Sequence, residues 1–129
     1  METMKSTPTY HYDKDADVLY ISFSPGEKAT TAVELNDVML LRLNQHEKRA
    51  IGLTLMDFSM LIQVTNVGPR QFPLNGLEEL EPAWREMVLD ILTTSPVNQF
   101  LTLSVYTPSF AEPIPLALVE HFPHSFAAC

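Results

Sequence analysis

Cysteine is almost absent from this 129-residue chain, which has a single one, Cys129. A lone cysteine forms no disulfide within its own chain, so nothing in the sequence indicates an oxidising compartment. Glycine is scarce as well, with four residues, and no glycine-rich phosphate loop, G-x-S-x-G or C-x-x-C motif is present. The sequence therefore lacks the common signatures of nucleotide-binding proteins, serine hydrolases and thiol redox enzymes.

Basic residues are few, since eight Lys and Arg stand against sixteen Asp and Glu, for a net charge of −8. The cations are scattered, and only Lys48 and Arg49 are adjacent. An acidic chain without a basic cluster repels phosphate backbones and anionic lipid surfaces. We therefore expect neither nucleic acid nor a membrane as a partner.

Long apolar runs are also lacking. No stretch approaches the roughly 20 apolar residues of a membrane-spanning helix, and residues 1–8 have no apolar run of signal-peptide type. The chain is nevertheless 46% hydrophobic, which is typical of a protein that buries one core. Length and composition together predict a single domain, 1–129. By elimination, since neither a disulfide, a signal peptide nor a membrane span is predicted, we expect the cytoplasm.

Apolar residues alternate with polar ones between residues 10 and 56, which predicts β-strands. The turn pairs Pro25-Gly26 and Asn36-Asp37 separate the strands. Consecutive strands with short loops predict an antiparallel meander. Its core face is predicted to consist of Leu19, Ile21, Phe23, Met39, Leu41, Leu43, Ile51, Leu53 and Leu55.

The period changes after Asp57. Residues 58–64 are predicted to form a short helix with Asp57 or Ser59 as N-cap, and Pro82 suits the first turn of the main helix. The apolar stripe of that helix is Trp84, Met87, Val88 and Ile91.

The alternation returns in residues 98–106, which predicts a last strand that rejoins the sheet. Residues 107–129 contain four of the ten prolines and are predicted to form an extended arm that packs either on its own domain or on a neighbouring copy. The predicted fold class is therefore α+β: an antiparallel β-meander of four to six strands packed against one main α-helix, with an extended proline-rich C-terminal arm.

A combination of short motifs resembles a known family. Tyr12-Asp13, a three-residue gap, and Asp17 with the strand Val18 to Phe23 are followed later by Ile51-Gly52-Leu53 and by Leu55 to Ser59. This pattern resembles domain-of-unknown-function family 2283 over about residues 10–59, and residues 60–106 and 107–129 would be additions to it. The resemblance implies a small bacterial β-meander with no established activity, ligand or catalytic residue. By analogy with some members, it also suggests an antitoxin-like companion of a small toxin.

The run Asp13, Asp15 and Asp17 invites a calcium interpretation. A helix-loop-helix calcium loop requires Gly at its sixth position and Glu at its twelfth, but this chain has Val18 and Ser24 there. A hairpin turn whose Asp side chains accept hydrogen bonds from nearby backbone N–H groups explains the same residues without a metal.

The histidines suggest two further candidate sites. His11 lies two residues from Asp13, so a metal-dependent or acid/base enzyme centred on the Asp13–Asp17 turn is the alternative to a binding protein. His121, His124 and Cys129 would need Glu120 to complete a zinc site, and a loose chain end explains them as well. The sequence therefore assigns no metal, no cofactor and no catalytic residue.

The second face of the sheet is the candidate contact surface. One helix cannot cover both faces of a five-stranded sheet, and Tyr20, Thr102, Ser104 and Tyr106 are predicted to line the uncovered face. The candidate binding residues are His11, Asp13, Asp17 and Tyr20. We therefore predict a non-catalytic protein-interaction or binding module that forms a homodimer, with another protein as a second candidate partner.

Overall fold

The computed structural model describes residues 8–66, 68–107 and 113–119. The larger sheet is antiparallel throughout. Its five strands are β1 (Thr9–Asp13), β2 (Val18–Ser22), β3 (Thr31–Asn36), β4 (Met39–Asn44) and β5 (Arg49–Met56). The prediction of an antiparallel sheet in this part of the chain is confirmed.

The strand order is β1-β2-β5-β4-β3, which differs from the predicted meander. The β1–β2 hairpin and the β3-β4-β5 unit are joined because β5, rather than β3, lies beside β2. Every residue from Ala50 to Leu55 is buried, so β5 gains most from a central position with a neighbour on each side. The pairing extends past the end of β2, where the Phe23 N–H donates to the Ile51 carbonyl over 2.9 Å.

One face of this sheet carries the predicted apolar residues. Leu19, Ile21, Leu41 and Leu53 are completely buried there, as the alternation requires. Ile51 is the exception. A bulge pairs Leu43 with Ala50 and Arg42 with Gly52, so Ala50 rather than Ile51 joins the core cluster. The extra residue of a bulge shifts the alternation locally, which a regular period of two does not predict.

The helical segments follow the larger sheet. They are α1 (Phe58–Leu61), a 3₁₀ turn (Asn75–Glu79), α2 (Pro82–Leu92) and a second 3₁₀ turn (Val97–Gln99). The predicted stripe of α2 faces the core, since Val88 and Ile91 are buried and Trp84 and Met87 pack against the cluster. α2 is one of several covers of the sheet, because the core cluster also contains residues of α1, both 3₁₀ turns and a second sheet. No helix of the described residues is long and apolar enough to span a membrane.

The second sheet corrects the predicted position of the last strand. It consists of β8 (Phe72–Pro73), β10 (Ile114–Val119) and β9 (Leu101–Tyr106), in that order. β9 therefore does not rejoin the larger sheet, and residues 114–119 of the predicted arm form the central strand of this one. Ala117 and Val119 are buried in the core, which explains why this part of the arm folds back on its own domain.

The remaining elements are small. β6 (Val64–Thr65) and β7 (Gly68–Pro69) form a two-stranded ribbon between α1 and β8. The rest of the predicted arm, with His121, His124 and Cys129, lies outside the described residues.

Candidate functional site

The turn between β1 and β2 brings three polar side chains together. Asp17 has a φ of 58°, a left-handed conformation that Asp tolerates better than most residues. Its Oδ1 accepts hydrogen bonds from the Tyr12 hydroxyl at 2.6 Å and from the Ser59 N–H at 3.1 Å. Its Oδ2 accepts the Ser59 hydroxyl at 2.5 Å. We call Tyr12, Asp17 and Ser59 the Asp17 cluster.

The Asp17 cluster also starts helix α1. Of the two predicted N-caps, Asp57 and Ser59, Asp57 occupies the cap position but makes no side-chain hydrogen bond there. Asp17 supplies the cap from a different part of the chain, since its carboxylate binds the Ser59 N–H and its carbonyl accepts the Phe58 N–H at 3.0 Å. The first N–H groups of a helix have no partner within it, so this carboxylate satisfies donors that would otherwise lack one.

The hydrogen bonds set the protonation of this cluster. Burial alone would raise the pKa of Asp17, but the donors on Ser59 and Tyr12 outweigh it, so the pKa lies below its ordinary value. The hydrogen bond to Asp17, assisted by burial and the carboxylate charge, raises the pKa of Tyr12. Asp17 is thus ionised at neutral pH with its oxygens already occupied, which disfavours it as a general base or a metal ligand.

The extent of a known family coincides with this cluster. Residues 9–59 match the family described as protein of unknown function (DUF2283). The match confirms the resemblance predicted from the sequence, and it ends at Ser59, the residue that closes the Asp17 cluster. The DUF2283 segment is less than half of the chain, and its description assigns no activity. No curated protein and no solved structure matches the chain.

The four predicted site residues do not converge. Asp17 faces Tyr12 and Ser59, whereas an Asp13 oxygen accepts the Ala16 N–H at 3.2 Å within the same turn. His11 and Tyr20 lie on the opposite side of the sheet from the core, with their rings stacked at 6.0 Å. Within residues 8–66, 68–107 and 113–119, no three His, Cys, Asp or Glu side chains are grouped as metal ligands.

Two hollows lie beside α2, and their lining residues do not form an evident group of catalytic side chains. One, of about 510 Å³, lies between α2 and the start of β5, and another, of about 550 Å³, lies between α2 and β3. Neither is lined by histidine or cysteine. The second is lined by Trp84 together with Glu34, Glu79 and Glu81.

A different set of residues occupies the face of the larger sheet away from the core, which we call the outer face. The strand register aligns them in two rows across the sheet. The first row is His11, Tyr20, Thr54, Leu40 and Glu34, and the second is Thr9, Ser22, Gly52, Arg42 and Ala32.

The strand alternation predicts that Arg42 and Gly52 both lie opposite the apolar residues of their strands, but it does not mark them as a site. The guanidinium of Arg42 crosses onto β5 and lies directly over Gly52, where a β-carbon would overlap it. The alternation already predicts Arg42, Gly52 and Thr54 opposite the apolar residues. The bulge, which sets the register that brings Arg42 beside Gly52, is a tertiary feature that a local pattern does not reveal.

Proposed function

We propose that the protein is a non-catalytic interaction module that forms a homodimer through the exposed outer edge of β9. The exposed character of this edge carries the proposal. Val105 is 64% exposed and Tyr106 is 55% exposed, and none of the six residues of β9 is charged or proline. In the part of the chain that the structure describes, no strand pairs with this edge.

The other edge strands of the five-stranded and three-stranded sheets carry features that oppose further pairing. β1 contains Asp13, β3 contains Glu34 and is covered by the Asn75–Glu79 turn, and β8 has two residues, one of them Pro73. Charge, proline, short length and covering elements are the usual protections of a sheet edge. Within residues 8–66, 68–107 and 113–119, none of these features protects the outer edge of β9, which favours strand addition by another chain.

Charge favours a second copy at this place. Two chains with a net charge of −8 repel each other over most of their surfaces. Residues 91–111 contain no Asp, Glu, Lys, Arg or His, so the surface around β9 can approach its own copy without that repulsion. Antiparallel pairing of β9 with β9 would be isologous and would make one continuous sheet from two copies.

Strand β10, next to β9, carries apolar surface beside the proposed contact. Ile114 pairs with Tyr106, and Leu116 and Leu118 follow on the same face of β10. All three β10 residues are only half-buried in the single chain. Joining two such sheets would extend this apolar surface across both copies, and burial of apolar area is the main favourable contribution to association.

Val105→Lys is expected to weaken the dimer at least about tenfold, or about 1.4 kcal/mol. A lysine on a strand edge opposes pairing with another strand, because its charge would have to be desolvated in the contact. Light scattering after size-exclusion chromatography, over a dilution series, would measure the change from twice 14.6 kDa to 14.6 kDa.

Ala32→Lys is the matched control, because it adds the same charge to an exposed residue of edge strand β3. It should leave the dimer unchanged. A wild-type protein that remains a monomer at all concentrations would overturn the proposal. Equal weakening by both lysine variants would show an effect of net charge and not of β9.

A further inference from the structure

The outer face holds an arginine whose position is unusual in this protein. Each of the other three arginines has a partner. Arg49 forms a bidentate pair with Glu27 at 2.7 and 2.9 Å, Arg85 donates to the Leu77 and Leu80 carbonyls, and Arg70 lies over the Phe72 ring. Arg42 makes no hydrogen bond or ion pair with any described residue.

A nearby carboxylate does not explain the position of Arg42. Glu34 lies diagonally across from it on the neighbouring strand β3, within the usual reach of a cross-strand pair. The guanidinium instead turns away from β3 and lies over Gly52 on β5. The absence of a side chain at Gly52 leaves the slot in which this planar group lies on the sheet.

The surroundings of the guanidinium suit one anionic group. Ser22 is next to Gly52 in the same row, and its hydroxyl has no hydrogen-bond partner among the described residues. The ring of Tyr20, 41% exposed and stacked on His11, stands in the adjacent row. A planar guanidinium matches a carboxylate through two parallel N–H···O bonds, and a hydroxyl beside it adds a third donor.

We propose that Arg42, lying in the Gly52 slot, is a recognition site for the carboxylate side chain of a partner protein. The outer face is a pleated surface, and the two hollows described above lie at α2, so a protein surface suits this site better than a small molecule, which needs a concavity. The negative charge of the protein favours a single carboxylate over a polyanion as the ligand. Glu34 lies in the neighbouring row and the chain carries −8, so a polyanion such as a nucleic acid would be repelled.

The test uses a blocked peptide, Ac-TYTETYT-NH2, and its glutamine counterpart, Ac-TYTQTYT-NH2, which differ only in the central charge. Titration into ¹⁵N-labelled protein would be followed by NMR at the Arg42 Nε–H and the Gly52 amide. We expect both signals to shift with the glutamate peptide. The glutamine peptide should bind at least about tenfold more weakly, because a charge-assisted pair is lost.

Two variants test the geometry. Arg42→Gln should weaken binding of the glutamate peptide at least about tenfold, whereas Lys28→Gln, an equal loss of charge in the exposed loop after β2, should not. Gly52→Ala keeps every charge but fills the slot. It should also weaken binding, and an unfolding curve close to that of the wild type would show that the fold is kept.

Several results would overturn the proposal. These are equal shifts with the two peptides, unchanged binding by Arg42→Gln, and tighter binding of a single-stranded DNA oligonucleotide than of the glutamate peptide. The site is independent of the dimer proposed above, because Arg42 and β9 belong to different sheets. Arg42→Gln should therefore leave the molar mass unchanged, and either proposal can fail without the other.

Discussion

Replacing Gly76 with alanine is expected to destabilise the protein by about 3 kcal/mol, at the upper end of the usual cost of overpacking. The Asn75–Glu79 turn lies so close to β3 that a β-carbon at Gly76 would overlap the Glu34 carbonyl oxygen. It would also lie 2.9 Å from the Leu35 oxygen. These are backbone atoms of a strand held by its pairing with β4, so they cannot rotate away as a side chain would.

The turn cannot easily retreat either. Leu74 and Leu77, on both sides of Gly76, are 0% and 1% exposed in the core. Moving the turn outward would expose them, and each fully buried leucine contributes about 1.5–3 kcal/mol. The Gly76→Ala substitution therefore lowers the free energy of unfolding, whether the turn or strand β3 moves.

Urea unfolding followed by circular dichroism, at one fixed protein concentration, would measure the loss for Gly76→Ala. Asn75→Ala is the control, because Asn75 is exposed on the same turn, and its effect should stay within about 0.5 kcal/mol. Gly52→Ala is a second comparison. Its β-carbon meets mainly the movable guanidinium of Arg42, so it should cost clearly less than Gly76→Ala. Equal unfolding midpoints for wild type and Gly76→Ala would contradict the close approach.

Replacing Asp17 with alanine is expected to cost about 2–4 kcal/mol of unfolding free energy. The carboxylate accepts three hydrogen bonds at 3.1 Å or less from Tyr12 and Ser59. Hydrogen bonds to a charged group contribute about 1.5–3 kcal/mol each when they are shielded, and partial exposure of this cluster reduces that. Alanine also tolerates the φ of 58° less well than Asp does.

Asp15→Ala is a matched control for Asp17→Ala, because it removes the same charge from an exposed residue of the same turn. Its unfolding free energy should lie within about 0.5 kcal/mol of the wild type. Asp17→Asn should fall between the two, since asparagine accepts the left-handed conformation and keeps one acceptor oxygen. Equal losses for Asp15→Ala and Asp17→Ala would refute a structural role of the Asp17 cluster.

The same cluster predicts a pH dependence of stability. The folded-state pKa of Asp17 lies below its ordinary value, so its contribution is complete above the unfolded pKa of about 3.9. It is lost as the pH falls through the folded pKa. Melting temperatures between pH 2 and 6 should therefore drop less steeply in Asp17→Asn than in the wild type. Some acid sensitivity should remain, because hydrogen bonds from Ser24, Arg49 and Asn44 also lower the pKa of Glu27.

Tyr12 makes the stability of the protein depend on pH in the alkaline range. Its folded-state pKa is raised, first by the hydrogen bond to Asp17. Its contribution is thus complete below the unfolded pKa of about 10 and is lost as the pH rises through the folded pKa. Tyr12→Phe should remove this alkaline loss while leaving the ring contact with Phe58, at 5.6 Å, in place. A spectrophotometric titration of the tyrosines would show whether the Tyr12 transition disappears.

Local patterns in the sequence determined the elements and their faces. The alternation of Leu19, Ile21, Leu41 and Leu53 with polar residues assigns both the strands and the buried side, because side chains alternate across a sheet with a period of two. Helix α2 begins at Pro82 and turns its predicted stripe inward for the same kind of local reason. The motif residues of the DUF2283 segment were likewise visible in the sequence.

The tertiary structure decided which elements meet. Whether β3 or β5 lies beside β2, and whether β9 joins the larger sheet or β10, depends on how much apolar surface each complete arrangement buries, and a local period contains no such comparison. The same holds for single side chains. Ser59 reaches Asp17 across 42 residues of chain, and Arg42 meets Gly52 because a bulge shifts the register of β4 and β5. Contacts between residues so far apart in the sequence exist only when the strands around them have paired.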